Sequence, residues 1–282
     1  MTLAPSSYEF VRTLVRAQSG ISLGTAKQYL VEARLGPLVQ REGLSSLDAL
    51  VARLRLAATS PLHTEVVEAM TTNETSFFRD MAPFEALRRA VVPALIRRRQ
   101  NVRRLRIWSA ASSTGQEAYS IAMLLRDSFP ELLGWRIEIR GTDLSRAVLA
   151  QARAGTYHQM EVNRGLSADQ LARHFRPVGD AWQVKDELRA MIDFQWMNLT
   201  LPWPAIPPQD IIFLRNVLIY FEPDTKRQIL RRLVPALAPD GTLLLGAAEN
   251  PFDLEGGFVR IELGRTGVFE RTAASTDAPV AP

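Results

Sequence analysis

The amino-acid sequence predicts an α/β protein in which a doubly wound, mostly parallel sheet follows an all-helical N-terminal domain. Two patterns carry this. Up to about residue 70 apolar residues recur at helical spacing and nothing alternates like a strand; from about residue 105 short apolar strands alternate with longer helical stretches. The composition is globular, 46% hydrophobic and 23% charged, and 282 residues leave room for a small domain beside a larger one.

Within residues 1–70, Phe10, Leu14 and Val15 mark one helix, and Leu47, Leu50, Val51 and Leu54 mark another. Ser45 or Ser46 is a fitting cap for the latter, and Ser60-Pro61 starts the next helix. Leu105-Arg106-Ile107-Trp108 reads as the first strand, followed by a small-residue turn and a helix from about Gln116 to Asp127. Trp135 to Thr142 is a second strand, and Ser145 caps a helix through Ala154. Later come a strand from Asp210 to Leu214, a helix from Pro223 to about Leu237 and a strand from Thr242 to Leu245. Pro239-Asp240-Gly241 is expected as the tight turn between those last two. Residues 156–195 interrupt the rhythm: Ser167 to Phe175 is a short helix, while Ala181 to Val184 and Met191 to Phe194 alternate like a small hairpin. They are expected to form an inserted subdomain. Residues 272–282 lack periodicity and read as a disordered tail or linker.

Composition removes several function classes. There is no cysteine, so disulfides, zinc–thiolate sites and cysteine nucleophiles are excluded together. His63, His158 and His174 lack metal-ligand spacing and are expected on the surface or in loops. A net charge of +4 and a sequence pI of about 9.7 suit an acidic partner without choosing one. The densest basic run, Arg97-Arg98-Arg99 with Arg103, Arg104 and Arg106, reads as a solvated helix end and connector. No stretch is long and apolar enough to cross a bilayer, and the opening MTLAPSSYEF lacks a signal-peptide pattern, so a cytoplasmic location is expected.

In a doubly wound sheet ligands bind at the carboxyl ends of the strands. The first strand runs into Ser109-Ala110-Ala111-Ser112-Ser113-Thr114-Gly115-Gln116-Glu117. Small side chains let backbone approach a ligand there, and the next helix offers free amides, although a tight turn with no ligand fits equally. Neither the dinucleotide glycine pattern nor a phosphate-binding loop is present. The second strand ends at Gly141-Thr142-Asp143, where the acid suits two ribose hydroxyls or, alternatively, opens the next helix as a cap. A nucleoside without phosphate-binding glycines points toward S-adenosylmethionine.

The segments TTNETSFFRD, RIWSAASSTGQEAYSIA, GTDLS, MNL, RNVLIYF and LAPDGTLLLGAAE follow in that order. Together, over roughly residues 8–271, they resemble the chemotaxis protein-glutamate methyltransferases, the CheR family. The resemblance implies a helical domain (1–70), a linker closing over the cofactor (71–90), and a Rossmann-like methyltransferase domain (91–271) with a small antiparallel β-subdomain. By the same match Asn73, Thr75 and Arg79 belong to that linker, Arg79 holding the methionyl carboxylate of S-adenosylmethionine. Glu117 is implied near the methionyl amino group and Asp143 at the ribose. Asn198, Leu199, Arg215 and Asn216 are implied around the adenosine and the transfer site. Tyr220 matches a tyrosine beside the transferred methyl, and Arg34 a basic residue facing the receptor's methylation helix. Plain alternatives exist: Asn73 and Thr75 as caps of a helix carrying Phe77 and Phe78, Arg79 paired with Asp80 or Glu85, Asn216 as a turn former, and Tyr220 as a core aromatic.

Two departures from the family stand out. Gly36-Pro37-Leu38-Val39-Gln40 replaces a run of arginines after Arg34, and proline there is expected to end or kink the helix. The stretch FRPVGDAWQV, 175–184, is short and poor in glycine, which predicts no tight grip on a receptor's C-terminal pentapeptide. The implied partner is the cytoplasmic helical part of a methyl-accepting chemotaxis receptor, served by a monomeric enzyme that takes S-adenosylmethionine to S-adenosylhomocysteine. A nucleic-acid methyltransferase is the enzyme rival, but Ile206-Pro207-Pro208-Gln209 lacks the flanks of an amino-methylating motif and no cysteine serves cytosine chemistry. A cofactor-binding regulator without transfer activity is the other alternative.

Overall fold

The structure, a computed structural model, describes residues 3–249, 257–263 and 266–272. Four helices come first: α1 (Pro5–Ser19), α2 (Gln28–Arg41), α3 (Leu47–Arg55) and α4 (Pro61–Ala69). They enclose their own core around Val11, Val15, Val31, Leu35, Leu50, Leu54 and Val66. As expected, Ser46 caps α3, its hydroxyl accepting the Ala49 N–H at 3.1 Å, and Pro61 is the first residue of α4. Pro37, however, neither ends nor kinks the chain out of α2, which continues to Arg41. Val31, Leu35, Leu38 and Val39 hold that helix to the core, while Pro37 and Ala33 sit on its exposed face. The Ala33 carbonyl that loses its donor to Pro37 therefore has water available.

After a non-helical stretch, α5 (Met81–Ala86) passes through a widened turn at Leu87–Val91 into α6 (Val92–Arg99). Phe77 and Phe78 precede this rod rather than lying in a helix, and both are buried. The α/β part then alternates as predicted: β1 (Arg104–Ala110), α7 (Gln116–Ser128), β2 (Arg136–Asp143) and α8 (Arg146–Ala154). An insertion carries β3 (Thr156–His158), α9 (Gln159–Asn163), α10 (Ala168–His174), β4 (Phe175–Val178), β5 (Ala181–Val184) and α11 (Asp186–Arg189). The chain returns through β6 (Ile192–Trp196), β7 (Gln209–Leu214), α12 (Pro223–Ala236), β8 (Leu237–Leu245), β9 (Phe258–Leu263) and β10 (Thr266–Arg271).

The main sheet has the order β6-β2-β1-β7-β8-β10-β9; β6 through β8 are parallel, and β10 and β9 close that edge antiparallel. Leu105, Ile107 and Phe213 face the core shared with α7 and the rod, and Trp108, Ile212 and Leu243 face the core with α12.

Further expectations need correction. The hairpin partner of Ala181–Val184 is Phe175–Val178, not Met191–Phe194; the latter segment contributes to β6, beside β2 in the main sheet. The insertion therefore ends before residue 192, because Phe194 is apolar enough for the sheet's core and its alternation alone cannot name its partner. Pro239-Asp240-Gly241 lies inside β8 as an irregularity: pairing jumps from Gln209–Leu237 to Ile211–Thr242. Asp240 is thereby turned to Arg99. His63 and His174 are buried, not superficial, bonded to Ser60 and to Asp127 respectively, which relieves the cost of burying their polar rings. The tail expectation, beyond Thr272, lies outside the described residues. Arg97 and Arg98 are exposed as expected, whereas Arg99 and Arg106 are tied into carboxylates of neighbouring strands.

Candidate cofactor and transfer site

The chain builds β1, β2 and β6 outward in one direction, then crosses back to place β7 on the other side of β1. That reversal leaves a crevice at the carboxyl ends of β1 and β7, where such sheets hold ligands. A cleft lies there whose empty space comes to about 940 Å³, open solvent at its mouth included.

Its floor is the loop after β1. Ala111 (φ 58°) and Ser113 (φ 51°) both adopt left-handed backbone, and Gly115 (φ 95°) follows as the cap of α7. Each non-glycine residue so placed costs on the order of 1 kcal/mol, and such strain persists where surrounding contacts impose it. Here the contacts are explicit: the Ser112 N–H donates to the Thr142 carbonyl at 2.8 Å, and the Ser113 N–H donates to Asp143 Oδ2 at 2.9 Å. At Gly115 the φ of 95° strains any side chain, and a β-carbon would also crowd Ala152 and Phe194 at 3.0 Å, which favours glycine there.

Asp143 ends β2, 7% exposed, and its other oxygen accepts the Ser145 N–H at 3.0 Å. Burial pushes its pKa above the usual aspartate value, against the pull of those amides. The cap of α8 is Ser145. Asp143 lines the cleft with its carboxylate held by the backbone amides of Ser113, Leu144 and Ser145, in place to accept from a diol.

Glu117, in the first turn of α7, accepts from the Ser109 hydroxyl at 2.8 Å and pairs with Arg215 Nη1 at 3.1 Å. Arg215, at the end of β7, is almost wholly buried; its Nη2 reaches Asp80 Oδ2 at 2.9 Å and the Arg79 carbonyl at 3.0 Å. One guanidinium thereby joins α7 to the connector leaving the helical domain. Arg79 is not paired with Asp80 or Glu85; its Nη1 donates to the Glu74 carbonyl at 2.7 Å. Asn73 is held by its carbonyl, which accepts from the Ser113 hydroxyl at 2.8 Å, and Thr75 lines the same wall.

On the β7 side Asn216 is left-handed (φ 57°), and Glu249 organises the loop. Its carboxylate accepts the N–H groups of Asn216, Val217, Leu218 and Gly246 at 2.7–2.8 Å. A side chain on Gly246 would lie 2.7 Å from Glu249 Oε2, so that position also has to be glycine. Tyr220 lies in the single helical turn Leu218–Tyr220, on the rim, and its carbonyl accepts the Ser22 N–H at 2.9 Å. Ile21 bridges Phe221, so the segment after α1 forms part of the wall. Asn198 lines the cleft with Leu199, but its amide is engaged in structure, Nδ2 donating to the Gln18 carbonyl and Oδ1 accepting from Thr200.

All of the sequence-derived site residues except Arg34 line this one cleft: Asn73, Thr75, Arg79, Glu117, Asp143, Asn198, Leu199, Arg215, Asn216 and Tyr220. Arg34 does not. Its guanidinium is spent on the Met70 and Thr71 carbonyls and the Thr72 hydroxyl, where it neutralises the free carbonyls at the end of α4 and braces the connector. Sequence reasoning missed Glu249, quoted only inside LGAAE, which holds the 216–218 loop beside the cleft, and it missed Phe84, Met197 and Phe221 in the lining, whose apolar side chains give no polar signal.

Compared with known proteins, residues 73–265 match the CheR methyltransferase SAM-binding domain, and residues 6–71 match the CheR methyltransferase all-alpha domain. The chain belongs to the CheR methyltransferases. It is 42% identical over 253 residues to Chemotaxis protein methyltransferase 1 of Pseudomonas aeruginosa, covering 88% of this chain and 92% of that one. It is 41% identical to Chemotaxis protein methyltransferase 1 of Vibrio cholerae (89% and 91% covered) and 35% identical to Chemotaxis protein methyltransferase of Escherichia coli (92% and 89%). The cofactor of this CheR chain is S-adenosylmethionine, and the cleft fits it. The Ser112 hydroxyl and Arg215 Nε are buried at the cleft without a hydrogen-bond partner among the described residues, so polar capacity remains for a ligand. Acidic Glu117 and Asp143, basic Arg79 and apolar Phe84, Met197 and Leu199 offer complements to an ammonium, a ribose, a carboxylate and an adenine. No group of three or more metal-ligating side chains occurs among the described residues. No described helix is long and apolar enough to cross a membrane.

Proposed function

We propose that this CheR chain methylates glutamate side chains on the cytoplasmic helices of chemotaxis-type receptors, working as a monomer in the cytoplasm and yielding γ-methyl esters and S-adenosylhomocysteine. The observation that carries the reading is the convergence of Arg79, Glu117, Asp143 and Tyr220 on one cleft between the helical domain and the sheet. Arg79 would take the cofactor's carboxylate, Glu117 its ammonium and Asp143 its ribose hydroxyls. The connector carrying Asn73 and Thr75 would close over it.

The cofactor supplies a methyl group on a sulfonium. A glutamate oxygen bonds to that carbon as the carbon–sulfur bond breaks and its electron pair returns to sulfur. Glutamate has an ordinary pKa of about 4.3, so the nucleophile is ionised at neutral pH and no general base is needed. The chain's contribution is alignment, worth at most roughly 7–11 kcal/mol, and exclusion of water. Opposite charges cancel as the bond forms, which a dry site favours. Ile21 and Phe221, bridged across the cleft's rim, serve that exclusion. Tyr220 would orient the acceptor carboxylate through its hydroxyl.

The test is incubation with methyl-labelled S-adenosylmethionine and a receptor cytoplasmic fragment, followed by alkaline release of labelled methanol. Wild type is expected to yield base-labile methanol, and Tyr220→Phe to lower kcat about tenfold, in the range of one lost hydrogen bond to a charged group. Cofactor binding without any ester would favour the regulator reading, and label in DNA or RNA the nucleic-acid one. Calorimetry with a receptor's C-terminal pentapeptide is expected to show no tight binding to this short β4–β5 hairpin.

A further inference from the structure

Glu68 stands in the last turn of α4, in the helical domain, yet its side chain is used by the α/β domain. Its Oε2 accepts from the Ser145 hydroxyl at 3.0 Å and from the Arg146 N–H at 3.1 Å, with the Ala147 N–H more distant at 3.5 Å. These are the free donors at the start of α8, where the helix dipole favours an anion. The Arg146 guanidinium lies over the Trp196 ring, 5.1 Å from its centre, so the attraction runs through backbone amides.

The contact feeds into the cofactor site by a short path. Ser145, whose hydroxyl meets Glu68, gives its N–H to Asp143 Oδ1; Asp143 Oδ2 takes the Ser113 N–H, and the Ser113 hydroxyl donates to the Asn73 carbonyl. Asn73 is only five residues beyond Glu68, and the Glu68 carbonyl itself receives the Thr71 N–H at 3.1 Å. The path closes on itself. Hydrogen bonds run from the end of α4 through both strand-end loops and back to the connector.

We propose that Glu68 is a positioning residue for the cofactor, acting across the domain boundary by holding the 143–147 turn so that Asp143 faces the ribose. This rests on the reading that Asp143 binds the cofactor. Without the carboxylate, the amides of Arg146 and Ala147 turn to water, the Ser145 turn is released, and the end of α4 loses its tie to the loop after β2. Cofactor affinity falls for a residue that touches no cofactor atom.

Calorimetric titration of the full chain with S-adenosylhomocysteine tests it, using Glu68→Ala, Glu68→Gln, Ser145→Ala and Asp143→Ala. Glu68→Ala is expected to weaken binding about tenfold, within the usual span of coupling between sites, and to raise KM for S-adenosylmethionine more than it lowers kcat. Glu68→Gln, which keeps an acceptor oxygen, should recover most of the loss. Glu68→Ala combined with Ser145→Ala should cost less than the sum of the two, since both break one contact. Wild-type affinity in Glu68→Ala beside weakened binding in Asp143→Ala overturns the proposal alone. Unchanged binding in Asp143→Ala overturns the cofactor reading instead. A loss in Glu68→Ala that Glu68→Gln does not recover, with kcat and KM changed equally, also overturns it.

Discussion

A carboxylate buried at the end of β2 carries a cost of its own. Desolvation raises the pKa of Asp143, and the amides of Ser113 and Ser145 offset only part of that. An acid whose folded pKa is raised binds its proton more readily folded than unfolded. Its charge thus opposes folding at neutral pH, and that opposition is relieved as pH falls through the raised value. Cofactor affinity runs the other way, because a protonated carboxyl is a poorer acceptor for two hydroxyls. Affinity for S-adenosylhomocysteine is therefore expected to fall on acidification above the ordinary aspartate range, while circular dichroism still reports a folded chain. Asp143→Asn should bind more weakly throughout and lose this pH dependence. Calorimetry at stepped pH values checks both.

At the scale of elements, the turn after β7 depends on a side chain outside it. Asn216, Val217 and Leu218 give their N–H groups to Glu249, as does Gly246, the residue after β8. Glu249→Ala would leave these donors without acceptors, those of Leu218 and Gly246 fully buried, each buried one costing about 1–3 kcal/mol before water or relaxation repairs some. A net loss of about 3 kcal/mol is expected, read as a lower urea midpoint, together with weaker cofactor binding because the loop bears Asn216 and Tyr220. Glu249→Gln should be milder. This element was half legible in the sequence. RNVLIYF announces the loop, but nothing in LGAAE says that its glutamate sits under that loop, because 33 residues separate Glu249 from Asn216. Arg34 taught the converse. Its residue type and helix were readable, while the bonds that take it to Met70, Thr71 and Thr72 depend on how α2 lies against the end of α4.

For the whole molecule, Arg99 is the fastening between the helical rod and the sheet. It meets Asp210 Oδ1 at 2.9 Å and both oxygens of Asp240, and Asp210 also accepts the Arg106 N–H at 2.8 Å. Arg99 holds the Asp240 carboxyl below its usual pKa. A lowered folded pKa stabilises above the unfolded value and is lost as pH falls through the folded one, so this fastening weakens in acid. Arg99→Ala is expected to cost about 1–3 kcal/mol, because the largely buried Asp210 loses its charged partner and keeps only the Arg106 N–H, and to flatten the acid limb of a melting-temperature profile. Arg16→Ala, which removes an exposed pair with Glu222, should change stability by less than about 1 kcal/mol.

By itself the sequence determined the alternation of strands and helices, the cap at Ser46, the helix start at Pro61 and the two strand-end loops that flank the cleft, because periodicity and capping chemistry act over a few residues. It also placed ten cleft residues through motifs that resemble the CheR family. Only the tertiary structure decided that β5 pairs with β4, that β6 joins the main sheet, that α2 survives Pro37, and that Glu68 and Glu249 serve distant backbone. Those outcomes depend on which buried faces and unpaired amides meet across long stretches of chain, and a local pattern does not carry that information.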